Sequence, residues 1–512
     1  MTHSDAPEQF SRVTTPDARP ATPTGRRLLF IAYNFPPQLS GVRRTVKFIK
    51  YLAPLGWDID VLTVKSVRCE RYDWSPLLEI RGLCRVHRTG SLDPYRLACL
   101  AAPGRCRMDT PFQAPANGPA TTSPYDTAAE PRRSMHGESR PGGRGLEPPM
   151  GFSRASGRLR SAMRFLRHWV FVVDDRVGWW PFALFRAIQI IRRRRPDWIV
   201  TTSLPNTAHL VGLALKRLFP HLRWAADFRD GWTQSRHYYA PPTPLHRWAN
   251  EHLERAVARR CNLLLSVSPP LTDYFVRLLG GPHAPAARKV RTLTNGYDPE
   301  DFAALPPDAE PPADAFELVY TGSFFGSRSP AGLLEGLARF LTLHPEAAGR
   351  FRAVFYSQWD AAWLDQARSL GLDGVVDVRG FAPYAESLAA QARATALLLL
   401  IPAVPHEPVM MTQKVFEYLA AHRPILALAP EGVAARVLLS ETGGAAFAHP
   451  DDPAAIADSL GRLWDAWLRG ELDQHYQPRG IERFARPRLA RQLHEWLIGR
   501  VNSEGEYSGV SR

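Results

Sequence analysis

The stretch that most constrains the fold of this chain is residues 396–428, where two apolar runs flank a short helical pattern. In that pattern Val415, Leu419 and Ala420 recur at helical spacing, and Arg423-Pro424 ends it. The order predicts a strand, a loop, a helix and a second strand, which is the βαβ unit of a parallel sheet. Ligands of such sheets bind outside the carboxyl ends of the strands, where the loop meets the helix.

Lys414 lies in the first turn of this predicted helix, and Glu417 follows one turn later. A helix N-terminus carries partial positive charge and unpaired N–H groups, so a lysine there is unfavourable unless an anion lies opposite. Two interpretations are open. In one, a phosphate binds the amides of Thr412 and Gln413 together with Lys414, while Glu417 accepts hydrogen bonds from a sugar diol. In the other, Glu407 neutralises Lys414 in a surface ion pair.

Composition limits the classes of protein to which the chain can belong. A length of 512 residues allows roughly two to four domains, and no apolar run is long enough to span a bilayer. The formal net charge of +14 indicates a polyanionic neighbour, and the absence of interleaved arginine and aromatic residues favours anionic lipid or phosphorylated substrates over nucleic acid. The 5 cysteines are odd in number and lack paired zinc spacing, which predicts reduced thiols in a cytoplasm.

Shifts in composition divide the chain into two domains of alternating strands and helices. In chain order the predicted segments are a disordered tail (1–25), an N-terminal domain (26–298) with a disordered insertion at about 101–151, an acidic proline-rich linker (299–315), a C-terminal domain (316–480), and a C-terminal helix and tail (481–512). Two such domains joined by one linker predict a cleft between facing strand ends.

The N-terminal domain opens with a second strand-helix-strand pattern. Residues 26–33 predict a buried strand, a turn-rich loop that contains Gly41 follows, and residues 43–55 have the spacing of a helix. The next predicted strand begins with Asp58-Ile59-Asp60. Because these aspartates enter a strand instead of following one, side-chain alternation explains them better than a metal motif does. No other cluster has metal-ligand spacing, so we predict no metal site.

Residues 152–170 place apolar side chains on one helical face and interleave them with arginines, without an acidic residue among them. A basic amphipathic helix can lie on an anionic membrane surface, with its guanidinium groups among the lipid phosphates. A surface helix packed on the protein itself would show the same pattern. Both interpretations are open, and the first would make the protein peripheral to a membrane.

Seven stretches, each weak alone, together carry a resemblance. They are IAYNFPPQLSGVRRTVKFIKYLAPLGWDIDVLTV, VHRTGSLDPYRL, PDWIVTTSLPNTAHLVG, WAADFRDGW, LTNGYDPEDF, LVYTGSF, and QKVFEYLAAHRPILAL with PEG. In this order and spacing the set resembles the GT-B glycosyltransferases of family 4, in the bacterial subgroup with a DFRD-x-W sequence in its N-terminal domain. A dehydrogenase would instead show a Gly-x-Gly-x-x-Gly fingerprint after the first strand, which the sequence lacks.

The resemblance implies a GT-B fold of the α/β class, in which two Rossmann-like domains face each other across a cleft. It implies that the C-terminal domain holds a nucleotide-diphosphate sugar and that the N-terminal domain holds the acceptor. Members of the family are metal-independent and mostly retaining, so we expect no cofactor beyond the nucleotide sugar, which is the donor substrate. We therefore expect a cytoplasmic hexosyltransferase that acts on a glycan or lipid-linked acceptor of a cell-envelope polysaccharide, at the inner face of the membrane.

The resemblance also assigns roles to particular residues. The candidate catalytic residues are Asp230, His209, Lys414 and Arg328, of which the first two would lie near the transferred sugar or the acceptor and the last two near the diphosphate. The candidate donor-binding residues are Gly41, Gly322, Ser323, Gly380, Phe381, Thr412, Gln413 and Glu417. Within this group the resemblance implies that Glu417 binds the ribose and that the loop of Gly380 and Phe381 faces the base.

Two positions depart from the family pattern. Many members carry two glutamates separated by seven residues, and Glu417 fits the second position while Val409 occupies the first. Where many relatives have a histidine that contacts the sugar, this chain has Arg229. Asp230 could then partner the transferred sugar or cap a helix, and His209 could contact a ligand or be a capped loop histidine.

Two other classes of function are open as well. Another GT-B reaction, such as nucleotide-sugar epimerisation or glycosyl phosphorolysis, would turn over without an acceptor or would depend on inorganic phosphate. A non-catalytic nucleotide-sugar-binding or scaffold protein of a polysaccharide assembly system is favoured by the missing first glutamate. The helix end around Lys414 argues against a pure scaffold, because a scaffold has no need of a site prepared for an anion.

Overall fold

Two parallel sheets organise the protein in the computed structural model, which describes residues 25–38, 41–66, 73–93, 96, 172–234, 241–306, 310–324, 328–403 and 408–499. The first sheet has seven strands, the second has six, and every strand pairing is parallel. The predicted tail and insertion, the basic pattern at residues 152–170, and Glu407 lie outside the described residues.

The first sheet belongs to the N-terminal domain. Its strands are β1 (Arg26–Ile31), β2 (Trp57–Val64), β3 (Cys84–Thr89), β4 (Trp198–Thr202), β5 (Arg223–Phe228), β6 (Leu263–Ser266) and β7 (Val290–Thr292), in the spatial order β3-β2-β1-β4-β5-β6-β7. Leu28 pairs with Ile59 on one side and with Trp198 on the other. Helices cover both faces of such a sheet, which is why its inner strands are almost continuously apolar.

The second sheet belongs to the C-terminal domain. Its strands are β8 (Phe316–Thr321), β9 (Phe351–Tyr356), β10 (Val376–Val378), β11 (Ala396–Leu400), β12 (Ile425–Leu428) and β13 (Ala445–Ala448), in the spatial order β10-β9-β8-β11-β12-β13. The two runs that opened the sequence analysis are β11 and β12, and they pair directly, Leu397 with Ile425. The predicted α/β architecture of two Rossmann-like domains is confirmed.

Helices connect these strands. In the N-terminal domain and the linker they are α1 (Arg43–Leu52), α2 (Ser75–Glu79), α3 (Trp180–Arg194), α4 (Thr207–Leu218), α5 (Pro244–Arg260), α6 (Pro269–Leu278) and α7 (Pro299–Ala303). After the linker they are α8 (Ala331–Leu343), α9 (Ala361–Ser369), α10 (Tyr384–Arg393), α11 (Gln413–Ala420), α12 (Ala434–Thr442), α13 (Pro453–Leu468), α14 (Leu472–His475) and α15 (Arg486–Leu497). None of the helices in the described part of the chain combines the length and the apolar character needed to cross a membrane.

The strand order of each sheet reverses at one point, between β1 and β4 in the first and between β8 and β11 in the second. At such a point the connecting loops leave in opposite directions and open a crevice at the carboxyl ends of the strands. The described residues of the loops that follow these four strands are 32–38 and 41–42, 203–206, 322–324 and 328–330, and 401–403 and 408–412. Most of the candidate site residues lie in these loops or in the first turns of the helices after them.

The C-terminal helix returns to the N-terminal domain. Trp57 Nε1 donates a hydrogen bond to His494 Nδ1 at 2.9 Å, and Trp198 Nε1 donates to the Leu497 carbonyl at 2.8 Å. Leu489 and Leu493 join the apolar cluster formed by the first strands. The last predicted segment therefore closes the domain junction instead of extending the C-terminal domain.

That helix also begins later than its predicted start at residue 481. Ile481–Phe484 form a single 3-10 turn, and the α-helix runs from Arg486 to Leu497. Pro487 explains the break, because proline has no N–H group to donate and is tolerated only in the first turn of a helix.

A buried ion pair anchors the junction from the N-terminal side. Arg44 Nη2 lies 2.8 Å from Asp227 Oδ1, and both side chains are almost fully buried. The same guanidinium donates to the carbonyls of Leu293 and Thr294 at 2.8 and 2.6 Å. Burial alone would raise the pKa of Asp227, but the charge and hydrogen bonds of Arg44, together with the charge of Arg229 and the hydrogen bond from Thr202, hold that pKa below its ordinary value.

Replacement of Asp227 by asparagine should therefore destabilise the protein strongly, by about 3–5 kcal/mol, because it leaves the Arg44 charge buried without its partner. The matched control is Asp377→Asn, whose partner Arg379 is exposed on the C-terminal domain and whose loss should cost ~0–1 kcal/mol. The measurement is the free energy of unfolding in denaturant at neutral pH. Equal losses in the two variants would contradict this account of the junction.

The pH dependence of this contribution follows from the direction of the pKa shift. The pKa of Asp227 is lower in the folded protein than its value of about 3.9 in an unfolded chain. The ionised carboxylate therefore stabilises the folded state fully above about pH 5, and that stabilisation is lost as the pH falls through the folded-state pKa. The difference between wild type and Asp227→Asn should be constant from about pH 6 to 8.

Candidate functional site

The loop after β8 and the first turn of α11 meet at the switch point of the second sheet. Gly322 has a φ of +121°, and a Cβ added to it would lie 2.7 Å from Lys414 Nζ. Lys414 Nζ itself lies 4.0 Å from the ring centroid of Tyr320, at the end of β8. A glycine is thus required here both for its backbone conformation and for the space that the lysine occupies.

Two basic side chains, Lys414 and Arg328, lie close together at the N-terminus of α11. The first turn of α11 contains no acidic residue, and Thr412, its N-cap, makes no side-chain capping hydrogen bond. Arg328 is buried nearby. Burial lowers the pKa of Lys414 well below its ordinary value, and the charge of Arg328 lowers it further, against the opposing effect of Glu417. An anion bound here would relieve this repulsion and occupy the helix N-terminus.

Glu417 is buried one turn further along α11, where both domains surround it. Burial raises its pKa, and the charge of Arg43 is the largest of the effects that oppose this rise. Arg43 belongs to the N-terminal domain, and its guanidinium lies 3.0 Å from the ring centroid of Tyr384 on α10. Glu417, the residue predicted to bind the ribose, therefore lies at the boundary between the two domains.

Gln413 joins the two domains through its side chain. Its Nε2 donates to the Gly296 carbonyl at 2.7 Å, and its Oε1 accepts from Arg486 Nη2 at 2.8 Å. Gly296 is packed so closely that an added Cβ would lie 2.0 Å from the Phe484 carbonyl oxygen. The side chain of Gln413 thus holds the first turn of α11 in place, and its backbone amide is the group that a phosphate could reach.

The remaining candidate donor contacts lie along the same edge of the second sheet. Ser323 is exposed, and its carbonyl accepts a hydrogen bond from the Tyr320 hydroxyl at 3.4 Å. Gly380, with a φ of +78°, and the exposed Phe381 follow β10, two strands away from β8. This spacing matches a ligand that extends from the switch point along the strand ends.

On the N-terminal side, the loop after β1 is held by Arg229. Gly41 has a φ of +71°, and its carbonyl accepts a hydrogen bond from Arg229 Nη1. A Cβ at Gly41 would lie 3.5 Å from Arg229 Nη2, which is ordinary contact. Arg229, the departure from the family pattern, therefore fixes the loop whose approach to the donor the resemblance implies.

His209 lies in the first turn of α4 and is completely buried. Its Nδ1 lies 2.8 Å from the Thr201 hydroxyl, which also accepts a hydrogen bond from Trp224 Nε1 at 2.8 Å. Burial lowers the pKa of His209 to about 3, so the ring is neutral at physiological pH. As placed, His209 packs on Phe228 with ring centroids 4.3 Å apart and exposes no atom to the cleft.

Asp230 follows β5 and is partly exposed at the carboxyl edge of the first sheet. No helix begins directly after Asp230, because residues 231–234 are not helical, and the next described helix, α5, is capped by Thr243. Asn250 and Glu254 of α5 hold the rest of this loop through Trp232 and Thr233. Asp230 is thus presented at the edge of the cleft by a well-supported loop.

The carboxylates that could hold a metal ion are paired with cations instead. Among the described residues, the one group whose carboxylate oxygens converge is Glu79, Asp298 and Asp301. Lys47 Nζ lies 2.5–2.7 Å from all three carboxylates, so the ammonium group of this lysine occupies the place between them that a metal ion would take. The aspartates of the rejected metal motif, Asp58 and Asp60, form ion pairs with Arg85 and Arg194.

Comparisons with known proteins show what this chain resembles in sequence and in fold. Residues 146–301 match the model of Glycosyltransferase Family 4. The resemblance to family 4 is confirmed for this part of the chain, nearly all of which lies in the N-terminal domain. A comparison with curated protein sequences gave no match.

Solved structures with the same fold support the GT-B architecture over nearly the whole chain. Sucrose-phosphate synthase from Thermosynechococcus elongatus is 15% identical, with a TM-score of 0.55 over 92% of this chain and 98% of that one. The lipopolysaccharide outer core galactosyltransferase WaaB, in its apo form, is 12% identical, with a TM-score of 0.51 over 93% and 100%. A putative UDP-N-acetylglucosamine 2-epimerase from Listeria monocytogenes is 10% identical, with a TM-score of 0.51 over 94% and 100%.

The GT-B cleft contains three cations that sequence reasoning did not single out, namely Arg43, Arg44 and Arg486. Arg486, on the returning helix α15, is almost fully buried, and burial together with the nearby Arg44 lowers its pKa to about 9. The residues Gly41-Val42-Arg43-Arg44 were a usable signal, because two arginines directly follow a glycine in a switch-point loop. Arg486 gave no such signal, since its place in the cleft depends on how α15 crosses between domains.

The role of Gly322 in this GT-B site can be tested by Gly322→Ala. The added Cβ would displace the Lys414 ammonium group, so we expect affinity for a nucleoside diphosphate, measured by calorimetry, to fall by about tenfold or more. Gly371→Ala is the matched control, because Gly371 also has a positive φ, +70°, but an added Cβ there would meet nothing within 4 Å. Wild-type affinity in Gly322→Ala would show that the anion site lies elsewhere.

Proposed function

We propose that the protein is a hexosyltransferase that moves a sugar from a nucleotide-diphosphate sugar to a glycan or lipid-linked acceptor, without a metal ion and with retention at the anomeric carbon. The observation that carries this proposal is the convergence of Lys414, Arg328 and the uncapped N-terminus of α11 beside Gly322. This is the chemistry of a diphosphate site, and it lies at the switch point of the second sheet.

The proposed reaction breaks the bond between the anomeric carbon and the diphosphate oxygen while the acceptor hydroxyl forms a new bond to that carbon. The departing diphosphate gains negative charge, and the acceptor hydroxyl loses a proton. In a retaining transfer the acceptor approaches from the face that the diphosphate leaves, so the proton passes to a departing phosphate oxygen. Fixed cations and helix N–H groups stabilise the developing charge more in the transition state than in the ground state.

The donor would extend from this point along the second sheet. Gly322, Ser323 and the amides of Thr412 and Gln413 would contact the phosphates, and Glu417 would accept hydrogen bonds from the ribose. The loop of Gly380 and Phe381 would then cover the base. Arg486 is a positioning residue in this scheme, because it touches the side chain of Gln413 and so fixes the first turn of α11.

The acceptor would lie on the N-terminal domain, across the cleft. Asp230 is the candidate partner of the transferred sugar or of the acceptor hydroxyl, since it lies at the carboxyl edge of the first sheet. Gly41 would let the first loop approach the donor phosphates. His209 would be a positioning residue, because it contacts Thr201 and Phe228 near the carboxyl ends of β4 and β5. A lipid-linked acceptor of a cell-envelope polysaccharide would place the protein at the inner face of a membrane.

The test of this function is turnover of a panel of nucleotide sugars, followed as release of the nucleoside diphosphate with and without EDTA. Lys414→Met should lower turnover by about 10²–10³-fold, because it removes a group that stabilises the leaving diphosphate. Lys216→Met is the matched control. That lysine lies in the last turn of α4, far from the strand ends that form the cleft, and donates hydrogen bonds to the carbonyls of Pro220 and Leu222.

Three outcomes would count against the proposal. Turnover that EDTA abolishes and Mg²⁺ restores would show that a metal ion stabilises the leaving group. Conversion of the donor to another nucleotide sugar without an acceptor would indicate epimerisation. Tight binding of a nucleotide sugar without any turnover, with a range of glycan and lipid acceptors, would indicate a scaffold.

A further inference from the structure

Helix α3 exposes two large apolar side chains in its first half, while the rest of its apolar side chains pack on the N-terminal domain. Its buried side chains are those of Ala183, Ala187, Ile190 and Ile191. Phe182 and Phe185 lie one turn apart and are 38% and 65% exposed. If only the protein itself could cover them, these phenylalanines would be expected in the interior. Their exposure therefore points to a partner.

These phenylalanines border a groove between the start of α3 and the end of β3, which we call the β3–α3 groove. It encloses about 430 Å³, and its lining residues are Lys65, Arg88, Thr89, Gly90, Pro181, Phe182, Phe185, Arg186 and Gln189. Leu92, which is 56% exposed, continues the apolar surface past the end of β3. The lining thus contains three cations and no acidic residue.

This combination of apolar and cationic groups matches the surface of an anionic lipid bilayer. Phenylalanine side chains can enter the boundary between headgroups and acyl chains, while lysine and arginine side chains remain among the lipid phosphates. A nucleic acid would pair with the cations but would leave Phe185 and Leu92 without an apolar partner. The chemistry of the groove therefore favours a bilayer.

The groove is also connected to the cleft. Arg88 donates hydrogen bonds to the carbonyls of Val64 and Pro36. Pro36 belongs to the loop after β1, which continues to Gly41 at the switch point. The groove and the switch point therefore lie along the same edge of the first sheet, which is the edge that would hold the acceptor.

We propose that the β3–α3 groove and Leu92 form a surface that rests on an anionic membrane, so that a lipid-linked acceptor enters the cleft along the loop after β1. The location of the acceptor rests on the proposed function, whereas contact with the membrane does not. Binding to lipid vesicles and binding to nucleotides therefore test the two proposals separately.

The experiment is sedimentation of the full chain with phosphatidylcholine vesicles that contain or lack phosphatidylglycerol. Wild type should sediment with the anionic vesicles, and the double variant Leu92→Ser, Phe185→Ser should bind them more weakly, by on the order of tenfold or more. The matched control is Leu343→Ser with Leu468→Ser, which removes two leucines of similar exposure, 56% and 47%, from the C-terminal domain. The control should bind as wild type does.

Unchanged vesicle binding in the double variant would overturn the proposal, and so would wild-type protein that ignores anionic vesicles. Unchanged binding together with a lower melting temperature would show that the chain itself covers these side chains. The double variant should bind nucleoside diphosphates with wild-type affinity, because Leu92 and Phe185 lie outside the donor site. Vesicle binding by a wild-type protein that binds no nucleotide would support the proposed membrane surface and contradict the proposed function.

Discussion

Positive charge held at the first turn of α11 is the constraint on which the functional account depends. Lys414 lies against a helix N-terminus and close to the buried Arg328, whose charge repels it, and the first turn of α11 contains no acidic residue. A folded protein retains such repulsion at a cost in stability, which is expected where a site is prepared for a ligand of opposite charge. Gly322 adds steric evidence, because a Cβ at this position would enter the space that Lys414 occupies.

The domain junction holds these cations in position. Arg44 and Asp227 fix the N-terminal side, and the side chain of Gln413 connects the first turn of α11 to Gly296 and to Arg486 on the returning helix. The proposed donor site is therefore supported by three separate parts of the chain. A rigid support of this kind keeps the cations in place while charge develops on a leaving group, so little reorganisation is needed during the reaction.

The sequence was sufficient to predict the alternation of strands and helices, the two domains and the switch-point loops, because these follow from local periodicity and from turn residues. It also indicated Lys414, whose place in the first turn of a helix made it unusual, and the family resemblance indicated Gly322. It could not predict that Arg43 and Tyr384 meet, or that Arg486 touches Gln413, since these contacts depend on how two domains and a returning helix pack. The complete burial of His209 was missed for the same reason, because its neighbours Thr201 and Phe228 lie on adjacent strands.

The measurement that tests the central claim most directly is calorimetric titration with nucleoside diphosphates at about pH 8.5, in buffers of different ionisation enthalpy. The pKa of Lys414 is well below its ordinary value in the free protein, and a bound anion would raise it, so binding should take up a proton from the buffer. The ligand itself should contribute little, because the phosphate pKa is about 6. The account predicts proton uptake in wild type and its loss, together with weaker binding, in Lys414→Ala. Tight binding without proton uptake, unchanged in Lys414→Ala, would contradict it.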